Sequence, residues 1–565
     1  MSALSRLQNV RKLARCGRIH FSTIKQRVVT SGLPDINIPD IAIHDLVLNK
    51  FTGWDNERFA IECGVTGRRY TYGQVLDKSV KFSKSLIKRL KLNQGDAVAL
   101  IVPNIPEYPI AILGILKAGL TLTCINPLYT PNEISKQLLD TSAKAIVTLN
   151  ELYPLAKSAL EEAQVDLPIL TIKTQQDQST PDGAITFNEF TDKDVDCTEV
   201  RDVRGKNLAV LPYSSGTTGL PKGVRLIHSN IVANILQLSH PDIILTRPAT
   251  MNHQTIIPAI LPFFHIYGFT VLCLLQLMLG AKIICLPKFT PQLYVQLLEQ
   301  HKPHVLYLAP PMAIFLGNNP SIGKGHFERV EHIICGAAPL GATDEEKIFN
   351  KAQKSIAVFQ GYGLTETSPA AIAARNRTSP IKPAPGSIGL PVPNTQVKIV
   401  DIDGGSGELL GPNQRGELYI KGPQVMEGYH NHPEETKNAF DDGWLKTGDV
   451  GYYNEEGQFY IVDRMKELIK VKGFQVSPAE LEEIIRNHPD VSEAAVIGVP
   501  HERDGEAPKA FVIPKKGAKL DGKKLEEYVN GKVAPYKRLT GGVVVTDFIP
   551  KNQTGKILRR ELKSL

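Results

Sequence analysis

The residues 213 to 224 read YSSGTTGLPKGV: four small hydroxyl side chains, three glycines and one lysine set between two apolar runs. Glycine lets a backbone approach an anion closely, and serine and threonine hydroxyls, together with free N–H groups, donate to its oxygens. Lys222 adds a mobile positive charge. Ser214, Ser215, Gly216, Thr217, Thr218, Gly219 and Lys222 therefore form a candidate polyphosphate cradle. It is not a Walker A motif, because G-x-x-x-x-G-K-[ST] cannot be laid over Gly216 to Gly223 in register. On this loop alone, a purely structural turn is the competing reading.

Such a loop needs a framework. At 565 residues the chain is too long for one core, and 42% hydrophobic with 22% charged residues is an ordinary globular composition. From about residue 95 to 365, β-rich runs such as DAVALIVPN, AKIICLP and VEHIICGAAP alternate with helical patterns, which predicts layered α/β sheets, largely parallel. Thr130-Pro131-Asn132-Glu133 predicts a capped helix start, as do Thr290-Pro291 and Ser477-Pro478-Ala479-Glu480. After about residue 390, short strands with Gly-rich turns predict a small β-barrel-like subdomain. The last hundred residues are long enough for a core of their own. The expected plan is thus α/β: a large domain over 35–462, a hinge at 463–466, and a mobile small α+β domain over 467–565.

Six further segments complete a family resemblance: LPFFHIYG (261–268), GAAPL (336–340), QGYGLTET (360–367), GWLKTGD (443–449), IVDRMKELIKVKGFQVSPAELE (461–482) and PKNQTGKILRREL (550–562). Together with the opening loop, and in this order, they resemble the adenylate-forming, acyl-activating enzymes, in wording similar to the branch of 4-coumarate:CoA ligases and firefly luciferase. The resemblance runs from about residue 40 to the end. It implies an ATP-dependent ligase that converts a hydrophobic carboxylic acid, a fatty acid or a 4-coumarate-like one, to an acyl-adenylate and then to a coenzyme A thioester. ATP, Mg²⁺ and coenzyme A are the implied cofactors.

The resemblance also implies roles, residue by residue. The opening loop closes on the β- and γ-phosphates. Tyr362 lies against the adenine, Thr365 on the α-phosphate, and Glu366 on Mg²⁺; a hard carboxylate suits that ion. Gly336 and Ala337 leave room for the adenine plane, and Ala338 sits near the acyl pocket. Asp449 and Arg464 contact the ribose, and His265 guards the passage between acyl pocket and coenzyme A tunnel. Lys556 neutralises the carboxylate and α-phosphate oxygens during adenylation. Lys466, Lys470, Gly473 and Gln475 belong to the thioester-forming face, with Asp463 as the pivot. Two other functions fit the same motifs: a luciferase-type adenylating oxygenase, or a non-catalytic acyl-binding relative.

The formal charge of +7 does not argue for nucleic acid. Seven basic residues and no acid precede Asp35, so the remainder is formally neutral. This Arg- and Ser-containing start has the composition of a mitochondrial transit peptide, so residues 1–34 are expected to be a leader and linker, with cytoplasmic residence as the alternative. The C-terminus, Lys563-Ser564-Leu565, holds the residues of a peroxisomal signal in the wrong order. Seven scattered cysteines predict neither a zinc site nor a disulfide framework. Ile256 to Leu279 is apolar enough to suggest a membrane span, but Pro258, Pro262, His265, Gly268 and Gln276 break it into a strand ending near Phe264, a turn, and a core helix from about Gly268.

Overall fold

The computed structural model describes residues 24–563 apart from 26, 52, 54–55, 176, 215–220, 337–339, 403–406, 473 and 552–554. Three sheets built mainly on parallel pairing form the centre of the large body. One is nine-stranded and carries the parallel run 121–124, 97–101, 145–149, 169–172 and 185–186; it continues through 208–210 into 222–227. The other α/β layers are the parallel trio 256–259, 282–285 and 59–63, and the parallel trio 305–308, 332–335 and 357–363. Strand Ala97–Ile101 is buried at every position, as strands covered by helices on both faces must be.

The three helix starts form as their sequences require. Thr130 and Glu133 make a reciprocal capping box, Thr290 accepts from the Leu293 amide, and Ser477 accepts from the Glu480 amide. Each cap contributes about 1 kcal/mol. The expected β-barrel-like unit is a seven-stranded antiparallel sheet over 396–464 that takes in two strands from the N-terminus. Val28–Thr30 pairs with Gln396–Val400, and Val29 is fully buried against Ile372 and Ile399. The fully buried Arg375 donates to the Ser31 and Pro391 carbonyls. The folded body therefore begins before residue 35, inside the stretch expected to be leader and linker.

Strand Phe459–Arg464 still pairs with Trp444–Tyr453, whereas the next strand, Ile469–Val471, belongs to a separate five-stranded sheet with helices Pro478–Arg486 and Gly522–Asn530. That sheet has its own core around Val476, Leu481, Val496 and Leu525. The chain crosses between the two sheets within 464–469.

The apolar run resolves into a strand, Ile256–Ala259, and a helical stretch that opens as a π-helix over Tyr267–Leu274 and continues as α-helix over Leu275–Met278. The strand stops five residues short of Phe264, because the chain turns at Leu261–Pro262 and Asn104 captures the carbonyls of Ala259 and Leu261. Among the described residues no helix is long and apolar enough to cross a membrane. Gly268 is required by contact: a Cβ there would lie 1.9 Å from the Pro262 carbonyl oxygen.

Candidate active site

A cavity of about 550 Å³ opens where the large body meets the C-terminal unit. Its polar part is lined by Ser214, Thr365, Glu366, Arg464 and Lys556, and its apolar part by Ile243, Ile244, Leu245, Val271, Leu275 and Leu279. Ser214 and Lys556, 342 positions apart in sequence, are thus gathered by topology rather than by local order.

Ser214 and Lys222 are cross-strand partners in a hairpin stem, Tyr213–Ser214 against Lys222–Gly223, which sets the two ends of the phosphate loop opposite each other. Ser215, Gly216, Thr217, Thr218 and Gly219 lie outside the described residues, as do Ala337, Ala338 and Gly473. Strand Gly428–Tyr429 pairs with the same strand as the loop's end, which brings Tyr429 between Lys222 and Glu366. The Tyr429 hydroxyl donates to the Glu366 carboxylate at 3.1 Å, and the Lys222 ammonium lies 5.5 Å from the Tyr429 ring centroid and 3.4 Å from Glu435. Tyr429 carries no signal in the sequence that marks it; its pairing with 222–227 puts it there.

Tyr362 stands on strand Ala357–Gly363 and lines the cavity, with its hydroxyl donating to Asp449 at 2.6 Å. Asp449 is 4% exposed and is reached through Tyr362 and through Arg464, whose Nε is 3.4 Å away. Burial raises the Asp449 carboxyl, and Arg464 and the tyrosine hydroxyl oppose that rise. Gly336 supports the packing of Tyr267, since a Cβ at Gly336 would lie 3.1 Å from the Tyr267 ring. His265 lines the cavity; its Nδ1 accepts from the Tyr267 amide at 3.4 Å, and burial pushes its pKa down to about 4, so the imidazole is neutral near pH 7.

Lys556 reaches the cavity because Gly555 permits it. Gly555 has φ +80°, and a Cβ there would lie 2.4 Å from Pro311 of the large body. Burial, and then the like charge of Arg464, push the Lys556 ammonium down to about 8. Three residues on, Arg559 donates to Glu467 at 2.9 Å and to the buried Glu482 at 2.7 Å, which fixes the segment that carries the lysine.

The structure separates the remaining expected residues from this group. Lys470 and Gln475 are cross-strand partners on the edge hairpin of the small sheet, Lys466 is exposed, and none of the three lines the cavity. Asp463 is buried: its carboxylate accepts from the Ser477 hydroxyl at 2.7 Å and the Ala479 amide at 3.1 Å, so it clamps the start of helix Pro478–Arg486.

Over residues 52–430 the sequence matches the family described as AMP-binding enzyme, and over 480–556 the C-terminal domain of that family. The chain belongs to the AMP-binding enzyme family. Among curated members, a probable 4-coumarate–CoA ligase 3 of Dictyostelium discoideum is 37% identical over 95% of this chain and 98% of its own length. The 4-coumarate–CoA ligase 1 of Arabidopsis thaliana is 36% identical over 95% of each chain. ATP-bound MatB from Rhodopseudomonas palustris superposes with a TM-score of 0.80 at 28% identity, covering 92% of this chain and 98% of that one. These curated relatives are 4-coumarate–CoA ligases, AMP-forming acid–thiol ligases, and this chain shares the two-part architecture of its structural neighbours.

Carboxylate provision for a cation is modest. Among the described residues no group of three or more histidine, cysteine, aspartate or glutamate side chains gathers as a metal site. Glu366, which lines the wall together with Glu133, suits Mg²⁺ carried in chiefly by nucleotide phosphates and water, which is how that ion is commonly held.

Proposed function

We propose that this family member is an AMP-forming ligase that joins a hydrophobic carboxylic acid to coenzyme A, with both the acid and ATP bound in the cavity described above. The observation that carries the reading is that Lys556 and Arg464, from the far end of the chain, share one cavity with Thr365 and Glu366 and with an apolar compartment. In the first half-reaction a carboxylate oxygen attacks the α-phosphorus of ATP, the bond to the β-phosphate oxygen breaks, and pyrophosphate leaves. A carboxylate is a poor nucleophile, so positioning and charge neutralisation must do most of the catalysis. Lys556 balances charge on the carboxylate and phosphoryl oxygens, Thr365 donates to the α-phosphate, and the loop from Ser214 to Lys222 holds the departing phosphates. Glu366 would hold Mg²⁺, which supplies further neutralisation of phosphate charge. Tyr362 offers a ring face to the adenine, while Asp449 and Arg464 meet the ribose.

In the second half-reaction the coenzyme A sulfur attacks the acyl carbon and AMP leaves. Lys466, Lys470 and Gln475 lie away from the cavity, which supports a rotation of the small unit about 463–466 that replaces Lys556 with their hairpin. Neutral His265 would then swing aside to admit the thiol. The acid-free basic N-terminus supports a mitochondrial location.

Full-length protein with ATP, Mg²⁺ and coenzyme A, offered fatty acids of graded length and 4-coumarate, is expected to form thioester, and Lys556→Ala is expected to lose it by a factor of 100 or more, about 3 kcal/mol. Pyrophosphate release without thioester would overturn the ligase reading.

A further inference from the structure

Asp140 is a carboxylate at the wrong end of its helix. Helix Pro131–Thr141 carries it one residue from the C-terminus, with no basic residue in the last turn, where the free backbone carbonyls disfavour negative charge. The side chain is nevertheless committed to partners. It accepts from the Tyr213 hydroxyl and from the Asn431 amide at 3.0 Å, and its backbone carbonyl accepts from the same amide at 3.1 Å and from the His430 Nε2–H at 3.2 Å. Three residues that stand 73, 290 and 291 positions away in sequence thus close on one.

Those residues flank the phosphate loop. Tyr213 is the cross-strand partner of Gly223, next to the pair Ser214 and Lys222 that closes the loop. His430 follows strand Gly428–Tyr429, which pairs with the strand that leaves the loop, and its amide donates to the Gly223 carbonyl at 2.8 Å. A Cβ at Gly223 would lie 3.3 Å from both the Tyr213 ring and the His430 side chain, so both pack on the residue that follows Lys222. Asp140, Tyr213, Gly223 and His430 therefore form a closed ring of contacts at the base of the loop. The same helix sends Glu133 and Gln137 to the cavity wall beside Tyr213 and Ser214. A hydrogen bond to a carboxylate is among the stronger ones, and burial together with Asp140 pushes the Tyr213 pKa far up, so the hydroxyl keeps the proton it donates.

We propose that Asp140 is a positioning residue for ATP: by holding Tyr213, His430 and Asn431 it sets the spacing of the strands from which the phosphate loop springs, and with it the reach of Ser214 and Lys222 to the β- and γ-phosphates. The inference rests on the reading of that loop as the polyphosphate site. Asp140 does not line the cavity, so it acts on the nucleotide only through the ends of the loop. A small displacement there is enough, since misplacing a group by about 1 Å can cost a factor of about 100 in rate. AMP lacks both phosphates that the loop meets, so its binding is indifferent to where the loop stands, whereas that of ATP is not.

The test measures equilibrium binding of ATP with Mg²⁺, and of AMP, to the full chain by calorimetry, without acid or coenzyme A, for wild type, Asp140→Ala, Tyr213→Phe, the double variant and Lys222→Ala. Asp140→Ala is expected to weaken ATP about tenfold and AMP less than about twofold, and Tyr213→Phe, which removes one hydroxyl, to weaken ATP about threefold or more with AMP again spared. The double variant is expected to stay within about twofold of Asp140→Ala, because both changes remove the same bond. In turnover, KM for ATP is expected to rise while KM for the acid does not. A general loosening of the fold would weaken both nucleotides together. Equal weakening of ATP and AMP, or wild-type ATP affinity in both Asp140→Ala and Tyr213→Phe while Lys222→Ala loses it, would overturn the inference and leave the loop reading standing. Wild-type ATP affinity in Lys222→Ala would overturn the loop reading and the inference with it. Should Asp140→Ala fail to fold, the ratio of ATP to AMP affinity in Tyr213→Phe decides by the same criteria.

Discussion

Lys556 holds its positive charge against its surroundings. Burial and the neighbouring Arg464 lower its pKa to about 8, while Glu467 and Asp449 pull the other way. The protonated form is complete well below that value and is lost as pH rises through it. In the free enzyme, kcat/KM for adenylation is therefore expected to fall above about pH 8, tenfold per unit in the limit, in a pyrophosphate-release assay. Lys556→Arg keeps its charge to higher pH, so the alkaline fall should vanish even though the displaced guanidinium lowers the maximum rate. An unchanged alkaline limb in the arginine variant would assign the ionisation to another group. At this scale the sequence was informative where family motifs name a residue: Lys556, Thr365, Glu366, Tyr362 and Arg464 do converge on the cavity wall. It was silent on Asp140 and Tyr429, because each acts on the site through a partner distant in sequence and neither stands in a motif. It also gave no hint that the Tyr362 hydroxyl is committed to Asp449.

Short segments translate those residues into position. The turn at Gly555 combines a left-handed backbone with van der Waals contact on Pro311, so two separate reasons exclude a side chain. Gly555→Ala is expected to reduce adenylation at least tenfold, with the melting temperature of the protein changed by no more than a few degrees, because the strain is relieved by moving the lysine segment off the large body. A variant with wild-type adenylation would show that the contact does not place Lys556. Helix starts were readable because Thr130, Thr290 and Ser477 act on their own neighbours through local hydrogen bonds. The π-helix at Tyr267–Leu274 was not, since an apolar run carries no mark of i to i+5 pairing, nor does any periodicity record the close approach of Gly268 to Pro262 at its start. The strand at Ile256 ends earlier than its apolar run because Asn104, remote in sequence, holds the Ala259 and Leu261 carbonyls at a turn.

For the molecule as a whole, the N-terminal segment matters in a way composition concealed. Its basic, acid-free character reads as a leader, yet Val28–Thr30 is paired on both sides within the seven-stranded sheet, with Ile24–Lys25 and Gln396–Val400, and Ser31 receives the buried Arg375. Deleting residues 1–23 is expected to leave the thermal transition within a few degrees of the full chain. Deleting 1–34 exposes Val29's partners and strands a buried guanidinium, and is expected to lower it by ten degrees or more in a calorimetric scan. Equal transitions for the two truncations would show that the strand adds nothing. The layered α/β body, the antiparallel unit and the separate small sheet were all foreseeable from the changes in sequence texture. Their mutual placement was not, because it depends on contacts such as Gly555 on Pro311 and Gly341 beside Glu483 that join remote segments. One such junction has a pharmacological side. Lys556 and Leu558 are wall residues of a cavity otherwise built by the large body, so a compound that fills the space touches both halves at once. It would behave as an adhesive, and its residence time would be set by how often the halves part rather than by how fast the compound diffuses away.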